Sequence, residues 1–285
     1  MVIENGRKLE LQILYEGKDI TKYIDKDLLS FTHSDSINEF DTIDLTIQNR
    51  ELLWINGWAP LKGEKIEAKA ILSNWESADH TEIKIGTFYI DDISYSGPPD
   101  ICSIKALSVD ITSNVMDNKR HRVWENVTLE KIARDVAKEC NLELIFDVDF
   151  KFEYKRAEAK LETYFNFLKR LSKEAGILVK LYNDKLILIE ETLYEKKEPP
   201  GATRKQKEEY LGKIAEKALK EKNKNSVRGN IKLLGKEQLL SVGNTINILG
   251  FGIFDGKYLI AKIDTDFKDY TLSLDIRKVE EEEKW

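Results

Sequence analysis

The sequence predicts an α+β protein with antiparallel β-barrels at its two ends and a small α+β domain inserted between them. Three observations carry this. Short segments with two-residue apolar alternation recur in the first part of the chain and return near its end. Apolar spacing of helical period opens in between. Gly, Asn and Pro punctuate the strand-like segments at the intervals of an antiparallel meander. The division expected is residues 1–115 for the first barrel, 116–195 for the inserted domain, and 196–285 for a linker, an amphipathic helix and the strands of a second barrel.

In the first part, Leu9, Leu11, Ile13 and Tyr15 alternate with polar neighbours, and Glu16-Gly17-Lys18 supplies a turn. Leu29 to Thr32, Phe40 to Ile47, Ile66 to Leu72, Ile83 to Ser94 and Ile101 to Val109 read as further strands. In the second part, Thr128 is placed to cap a helix carrying Leu129, Ile132, Ala133, Val136, Ala137 and Cys140 on one face. A second helix is expected from Glu162 to Ala175 with Tyr164, Phe167, Leu168 and Leu171 inward, stopped by Gly176. Ile177 to Tyr182 and Lys185 to Ile189 form a hairpin about Asn183-Asp184.

Beyond it, Lys196 to Gly201 contains Pro199-Pro200 and breaks regular structure. Thr203 and Gln206 have capping-box spacing ahead of an apolar stripe formed by Tyr210, Leu211, Ile214, Ala215, Ala218 and Leu219. This helix reads as a solvated amphipathic face or a contact helix against a neighbouring subunit. Thr245 to Leu249, Lys257 to Ile263 and Tyr270 to Ile276 return to strand patterning around the turn Phe254-Asp255-Gly256. Glu280 to Glu283 form an acidic tail expected to be disordered.

Of the 285 residues, 41% are hydrophobic and 34% charged, enough for a core beneath a soluble surface. The net charge of -6 argues against a general nucleic-acid binder, although an acidic passage lets DNA slide without adhering. The sequence has no stretch near the roughly 18 apolar residues of a membrane span and no signal-like N-terminus, so synthesis and folding in a cytoplasm are expected.

Candidate chemistry is thin. Cys102 and Cys140 lack metal-ligand spacing and read as free thiols, Cys140 buried. His33, His80 and His121 fall in separate elements, without the convergent partners a catalytic or metal site needs. The carboxylate pairs Asp91-Asp92, Asp147 with Asp149, and Glu190-Glu191 are sequence neighbours, which strand geometry sends to opposite faces or leaves in turns. Gly250, Gly252 and Gly256 superficially resemble a phosphate loop but sit between strands, where a bulge and hairpin are expected. Trp54, Trp58 and Trp75 cluster, and serve as an interface anchor or sugar platform if exposed, or as a staple if buried. No catalytic residue, cofactor-binding residue or metal ligand is therefore assigned.

One ordered series of strings adds to this reading. Trp54-Ile-Asn-Gly-Trp58-Ala-Pro60 leads to Gly63 and Ile66, then Asn74-Trp75. Gly86-Thr-Phe88-Tyr89-Ile-Asp-Asp92-Ile93, Gly97-Pro98-Pro99 and Ile104-Lys-Ala106 follow, then Trp124-Glu-Asn-Val-Thr-Leu129 and Gly250 to Tyr258. Together, from about residue 28 to 278, they resemble the phage late-control gene D family of tail hub proteins, related to the hub part of type VI secretion spike proteins.

The resemblance implies tail-tube-like barrels, two per subunit, in a homotrimer whose six barrels adapt a hexameric tail tube to a trimeric spike. It implies a structural baseplate protein of a contractile phage tail or phage-tail-like particle, not an enzyme. The expected partners are further copies of itself, the tube protein, the spike and other baseplate proteins, with no sequence-specific nucleic-acid binding. The alternatives are a tail-associated peptidoglycan hydrolase and a cell-wall-binding module. With about 55 residues after Asn230, the second barrel must borrow strands or interleave with other parts of the chain.

Overall fold

A computed structural model describes residues 7–36, 39–75, 78–110, 120–182, 184–190, 228–234 and 240–278. The expected linker at Lys196 to Gly201, the helix after Thr203 and the tail at Glu280 to Glu283 lie outside the described residues.

The first part contributes β1 (Lys8–Tyr15), β2 (Lys18–Asp19), α1 (Thr21–Ile24), β3 (Leu28–Ser36), β4 (Thr42–Gln48), β5 (Lys65–Trp75), β6 (Ala78–Ser96) and β7 (Ile101–Leu107). The alternation in β4 is explicit: Ile43, Leu45 and Ile47 are buried while Asp44 and Thr46 face outward. β6 is longer than expected because it serves two partners in stagger, β5 through Ala78–Tyr89 and β7 through Tyr89–Ser96. Two bulges along it let one strand follow a strongly curved sheet. One lies beside Gly86, whose φ of +141° suits glycine, and where a Cβ would stand 3.3 Å from the Phe88 ring.

The inserted part holds β8 (Arg120–Thr128), α2 (Leu129–Glu139), β9 (Glu143–Asp147), β10 (Glu153–Glu162), α3 (Tyr164–Ala175), β11 (Ile177–Tyr182) and β12 (Lys185–Glu190). α2 starts at the expected cap, whereas α3 starts two residues later than expected, behind a cap at Thr163. Thr128 Oγ1 accepts from the Lys131 N–H at 3.2 Å, and Thr163 Oγ1 from the Asn166 N–H at 3.3 Å. Gly176 closes α3 in the left-handed conformation. Thr128→Ala is expected to lower the insert's stability by about 1 kcal/mol, read as an earlier urea midpoint at unchanged slope. The pair β8–β10 and the sheet β11–β12–β9, with β9 parallel to β12, enclose the helices' apolar faces.

The last part supplies β13 (Arg228–Leu234), β14 (Thr245–Ile248), β15 (Gly256–Asp266) and β16 (Thr271–Lys278). These join the first part in one antiparallel sheet of order β13-β16-β15-β3-β4-β7-β6-β5-β1-β2, with β14 beside β15. β15 is the bridge. Its first half pairs β14, and after Ala261, bulged opposite β16, its second half pairs β3.

The fold is thus mostly antiparallel β-sheet with few helices, and the expected closed barrels are not what the ladder shows. Among the described residues the sheet stays open, because β3 spends one edge on β4 and the other on β15 and keeps none for β1. The six strands from β3 to β1 nevertheless share one core, and α1 adds Ile24 to it. A smaller core under β13–β16 is separate.

Candidate functional site

Among the described residues, no strand of the insert enters the large sheet's ladder. The two parts meet through side chains instead. Phe40 packs on Phe165 with ring centroids 4.3 Å apart, and Ser108 Oγ donates to the Leu181 carbonyl at 3.2 Å. On β11, Ile177, Val179 and Leu181 enter the insert core, which sends Lys180 the other way, toward the large sheet. There its ammonium donates to Asp35 and stands 3.2 Å from Asp41 Oδ1.

The side chain of Asp41 is only 2% exposed. Burial pushes its carboxyl up to about 7, against the pull of Lys180. Burial alone would depress Lys180, but the two carboxylates override it and raise the lysine. His33 is held down to about 4, chiefly by burial. Its Nε2 has no hydrogen-bond partner among the described residues, and its ring stands edge-on to Phe88. These groups line one wall of a cavity of about 430 Å³, with Ile85, Ile263, Phe267 and Leu272 on the apolar wall.

Two apolar surfaces lie elsewhere. Between β4 and β5, Trp54 is buried, and its N–H donates to Asn49 Oδ1 at 3.1 Å while its carbonyl accepts from the Tyr95 hydroxyl at 2.8 Å. Trp58 stands edge-on to Trp54 at 6.0 Å and to Tyr23 at 5.9 Å, and is 45% exposed. Leu52, Leu53, Ile55 and Leu61 of the same loop are exposed too. The tryptophan cluster therefore divides into a staple and an exposed anchor, while the side chain of Trp75 lies outside the described residues.

The second surface is the β14–β15 turn, where Leu249 is 77% and Phe251 70% exposed. The turn is fixed: Asp255 accepts from the Phe251 N–H at 2.6 Å, and the Tyr258 hydroxyl donates to the Phe254 carbonyl at 2.7 Å. With Leu233 these side chains line a groove of about 700 Å³ that includes Ile231, Ile246, Ile248 and Ile276. Exposed apolar patches of this kind mark interaction sites on soluble proteins.

The remaining candidates are dispersed. Cys102 is a buried thiol in β7, pushed up to about 11 by burial, and Cys140 is buried at the end of α2, neither being in a disulfide. His33 lies on β3, His80 on β6 and His121 on β8, where His121 approaches Glu158 at 3.2 Å. The side chain of His80 is outside the described residues. Asp91 pairs with Lys62 at 3.0 Å beside the β6 bulge. Asp147 ends β9, Asp149 follows it, and Glu190 ends β12, with Glu191 outside the described residues. The glycines Gly250, Gly252 and Gly256 shape a hairpin turn containing one 3-10 turn, while the bulge falls further on, at Ala261.

Sequence reasoning missed the Lys180 joint. A lysine at an outward strand position reads as solvated, and only the packing of a second layer over that face shows otherwise.

Comparison with known proteins bears on what these surfaces serve. Over 194 residues, 66% of this chain, the sequence is 25% identical to a probable baseplate hub protein of Escherichia phage 186. The chain resembles phage baseplate hub proteins. The probable baseplate hub protein of Escherichia phage P2 is 22% identical over 182 residues. The matches cover 47% and 45% of these relatives, so the chain spans less than half of their length. No family model matches the chain.

Among solved structures, the 43 kDa tail protein of prophage MuSo2 from Shewanella oneidensis shares the fold over 95% of this chain and 97% of its own, with a TM-score of 0.64 at 14% identity. A tail protein from Neisseria meningitidis MC58 aligns over 95% of this chain and 96% of its own, with a TM-score of 0.62 at 10% identity. A component of the Escherichia coli type VI secretion system, described as structurally similar to the T4 tail proteins gp27 and gp5, aligns over 96% of this chain and 77% of its own, with a TM-score of 0.52 at 13% identity. Among the described residues, no helix is long and apolar enough to cross a membrane.

Proposed function

We propose that the chain is a structural, non-enzymatic baseplate hub of a contractile phage tail or phage-tail-like particle, a homotrimer that adapts a hexameric tail tube to a trimeric spike. The observation that carries this reading is the likeness to tail proteins along nearly the whole chain, combined with two apolar surfaces that a single copy leaves open to water. The six strands from β3 to β1, an open sheet around one core, then serve as the first tube-like unit, and β13–β16 as part of a second completed in the assembly. The partners proposed are further copies of the chain, the tube protein, the spike and other baseplate proteins. The place of action is the virion or tail-like particle, after assembly in the bacterial host cytoplasm. The domain limits proposed are those expected from the sequence, 1–115, 116–195 and 196–285.

Permanent assemblies of this kind bury more than about 2,000 Å² per interface, with aromatic anchors at their centres. Trp58→Glu and Phe251→Glu, made singly, are expected to weaken assembly at least about 30-fold while leaving the monomer's circular dichroism unchanged. Native mass of the chain alone and with its candidate spike tests the reading. A particle of three chains that either substitution dissolves supports it. A chain that stays single even with the spike present overturns it, and binding to purified cell wall in that case favours the wall-binding module. Clearing of a cell-wall suspension by the purified chain would overturn the non-enzymatic assignment.

A further inference from the structure

Among the described residues the insert is seated on the large sheet by side-chain contacts, Leu107 of β7, Val109 and Phe40 packing into its core, without a shared ladder. At the centre of that seat, ionisable groups converge from separate elements. Lys180 comes from β11, His33 and Asp35 from β3, and Asp41 from the connection into β4. Two carboxylates share one ammonium, so the set carries one negative charge in excess when both are ionised. The other charged or titratable groups facing it are Lys84 of β6, Tyr182 of β11 and Asp264 of β15. Asp264 in turn accepts from Ser34 and pairs with Lys262 at 2.8 Å. Asp44 of β4 lies within the field of Asp264, Lys262 and Lys105.

We propose that this joint is a proton-balanced latch: a buried carboxylate and a half-buried imidazole near the same lysine answer acidification in opposite senses, and the insert stays seated on the large sheet as pH falls. The physical basis is that burial penalises whichever form is charged, the deprotonated form of Asp41 and the protonated form of His33. Asp41, at about 7 when folded against about 3.9 when unfolded, binds a proton on folding, so its contribution to stability grows as pH falls from 7 toward 4. His33, at about 4 when folded against about 6.5 when unfolded, releases one, so its contribution shrinks as pH falls from 6.5 toward 4. Over their common window the two act in opposite directions. The excess carboxylate at Asp41 sheds its charge while the imidazole gains none.

The test follows hydrogen exchange of the β11 and β3–β4 amides in the full chain from pH 8 to 4, corrected for intrinsic exchange rates. Wild-type protection is expected to stay within a few-fold between pH 6.5 and 4.5. Relative to wild type, protection in His33→Gln should rise by up to about tenfold per pH unit as pH falls through 6.5, and in Asp41→Asn it should fall by up to about tenfold per unit below pH 7. Ratios that do not change with pH overturn the latch, as does wild-type protection that declines steadily on acidification. Should either variant fail to fold, the His33 ring can be titrated by NMR in the wild-type chain. A ring still neutral at pH 5.5 supports the latch, and one that charges near 6.5 overturns it.

Discussion

Phe167→Ala is expected to remove about 4 kcal/mol from the insert and to melt it ahead of the large sheet. Phe167 is fully buried in α3, and its ring stacks on Trp124 of β8 with centroids 5.2 Å apart and planes at 14°. Trp124 is itself fixed: its indole N–H donates to Asp135 at 3.2 Å, and the Arg122 guanidinium lies 4.5 Å from its ring centroid. The neighbours of an alanine here are therefore pinned and cannot collapse into the void, which keeps the cost above the lower end for an aromatic truncation. Leu107 of β7 shares the insert's cluster, but the cluster under the six strands from β3 to β1 is distinct from it, so most of the deficit should stay in the insert. Differential scanning calorimetry should resolve an early insert transition followed by a later one at the wild-type temperature. One transition displaced as a whole would mean that the two cores melt as one.

Lys180→Met is expected to cost ~3 kcal/mol at pH 8, because it leaves Asp35 and the almost wholly buried Asp41 without their cation. The deficit should shrink on acidification, since a proton on either carboxylate relieves the uncompensated charge. In the wild-type chain the raised Lys180 works in the opposite direction. Its contribution is full below the ordinary lysine range and is lost only as pH rises through its elevated folded value. Urea denaturation at pH 8 and pH 5 separates these terms, and a deficit equal at both would show that Lys180 acts through packing alone.

The fold was legible where local chemistry and tertiary context agree. The helix cap at Thr128, the stop at Gly176 and the alternation of β4 and β11 follow from local chemistry, while the cap at Thr163 went unread. Elsewhere context overrides propensity. β10 reads EYKRAEAKLE, a composition of good helix formers, yet it is a strand because Ala157 and Ala159 enter the insert core and its backbone pairs with β8. β13 leaves Leu233 and Leu234 exposed and only Ile231 half-buried, so its apolar residues mark no buried face, and pairing with β16 makes it a strand. The open ladder was also invisible, since two-residue alternation states which face is buried but not which strand takes each edge.

For the proposed assembly surfaces, Trp54 and Trp58 stood out by residue type, but their separation into staple and anchor depended on the fold. Leu249, Phe251 and Phe254 passed as ordinary strand and turn residues, because exposure is decided by what fails to pack on them. Lys180 was hidden for the converse reason, as a charged side chain whose outward face is covered.

The bridging role of β15 has a consequence for the time course of folding. Ser34 on β3 meets Asp264 on β15 across 230 positions of chain. Closing a loop of that size costs about 3–4 kcal/mol more entropy than closing one of hairpin length, and that cost precedes the contacts that reward it. β3 therefore waits on one edge while the whole insert is synthesised and folded between the two strands. The seam between β3 and β15 is the natural last step, and until it closes, the nascent sheet offers an unpaired edge to any other strand nearby.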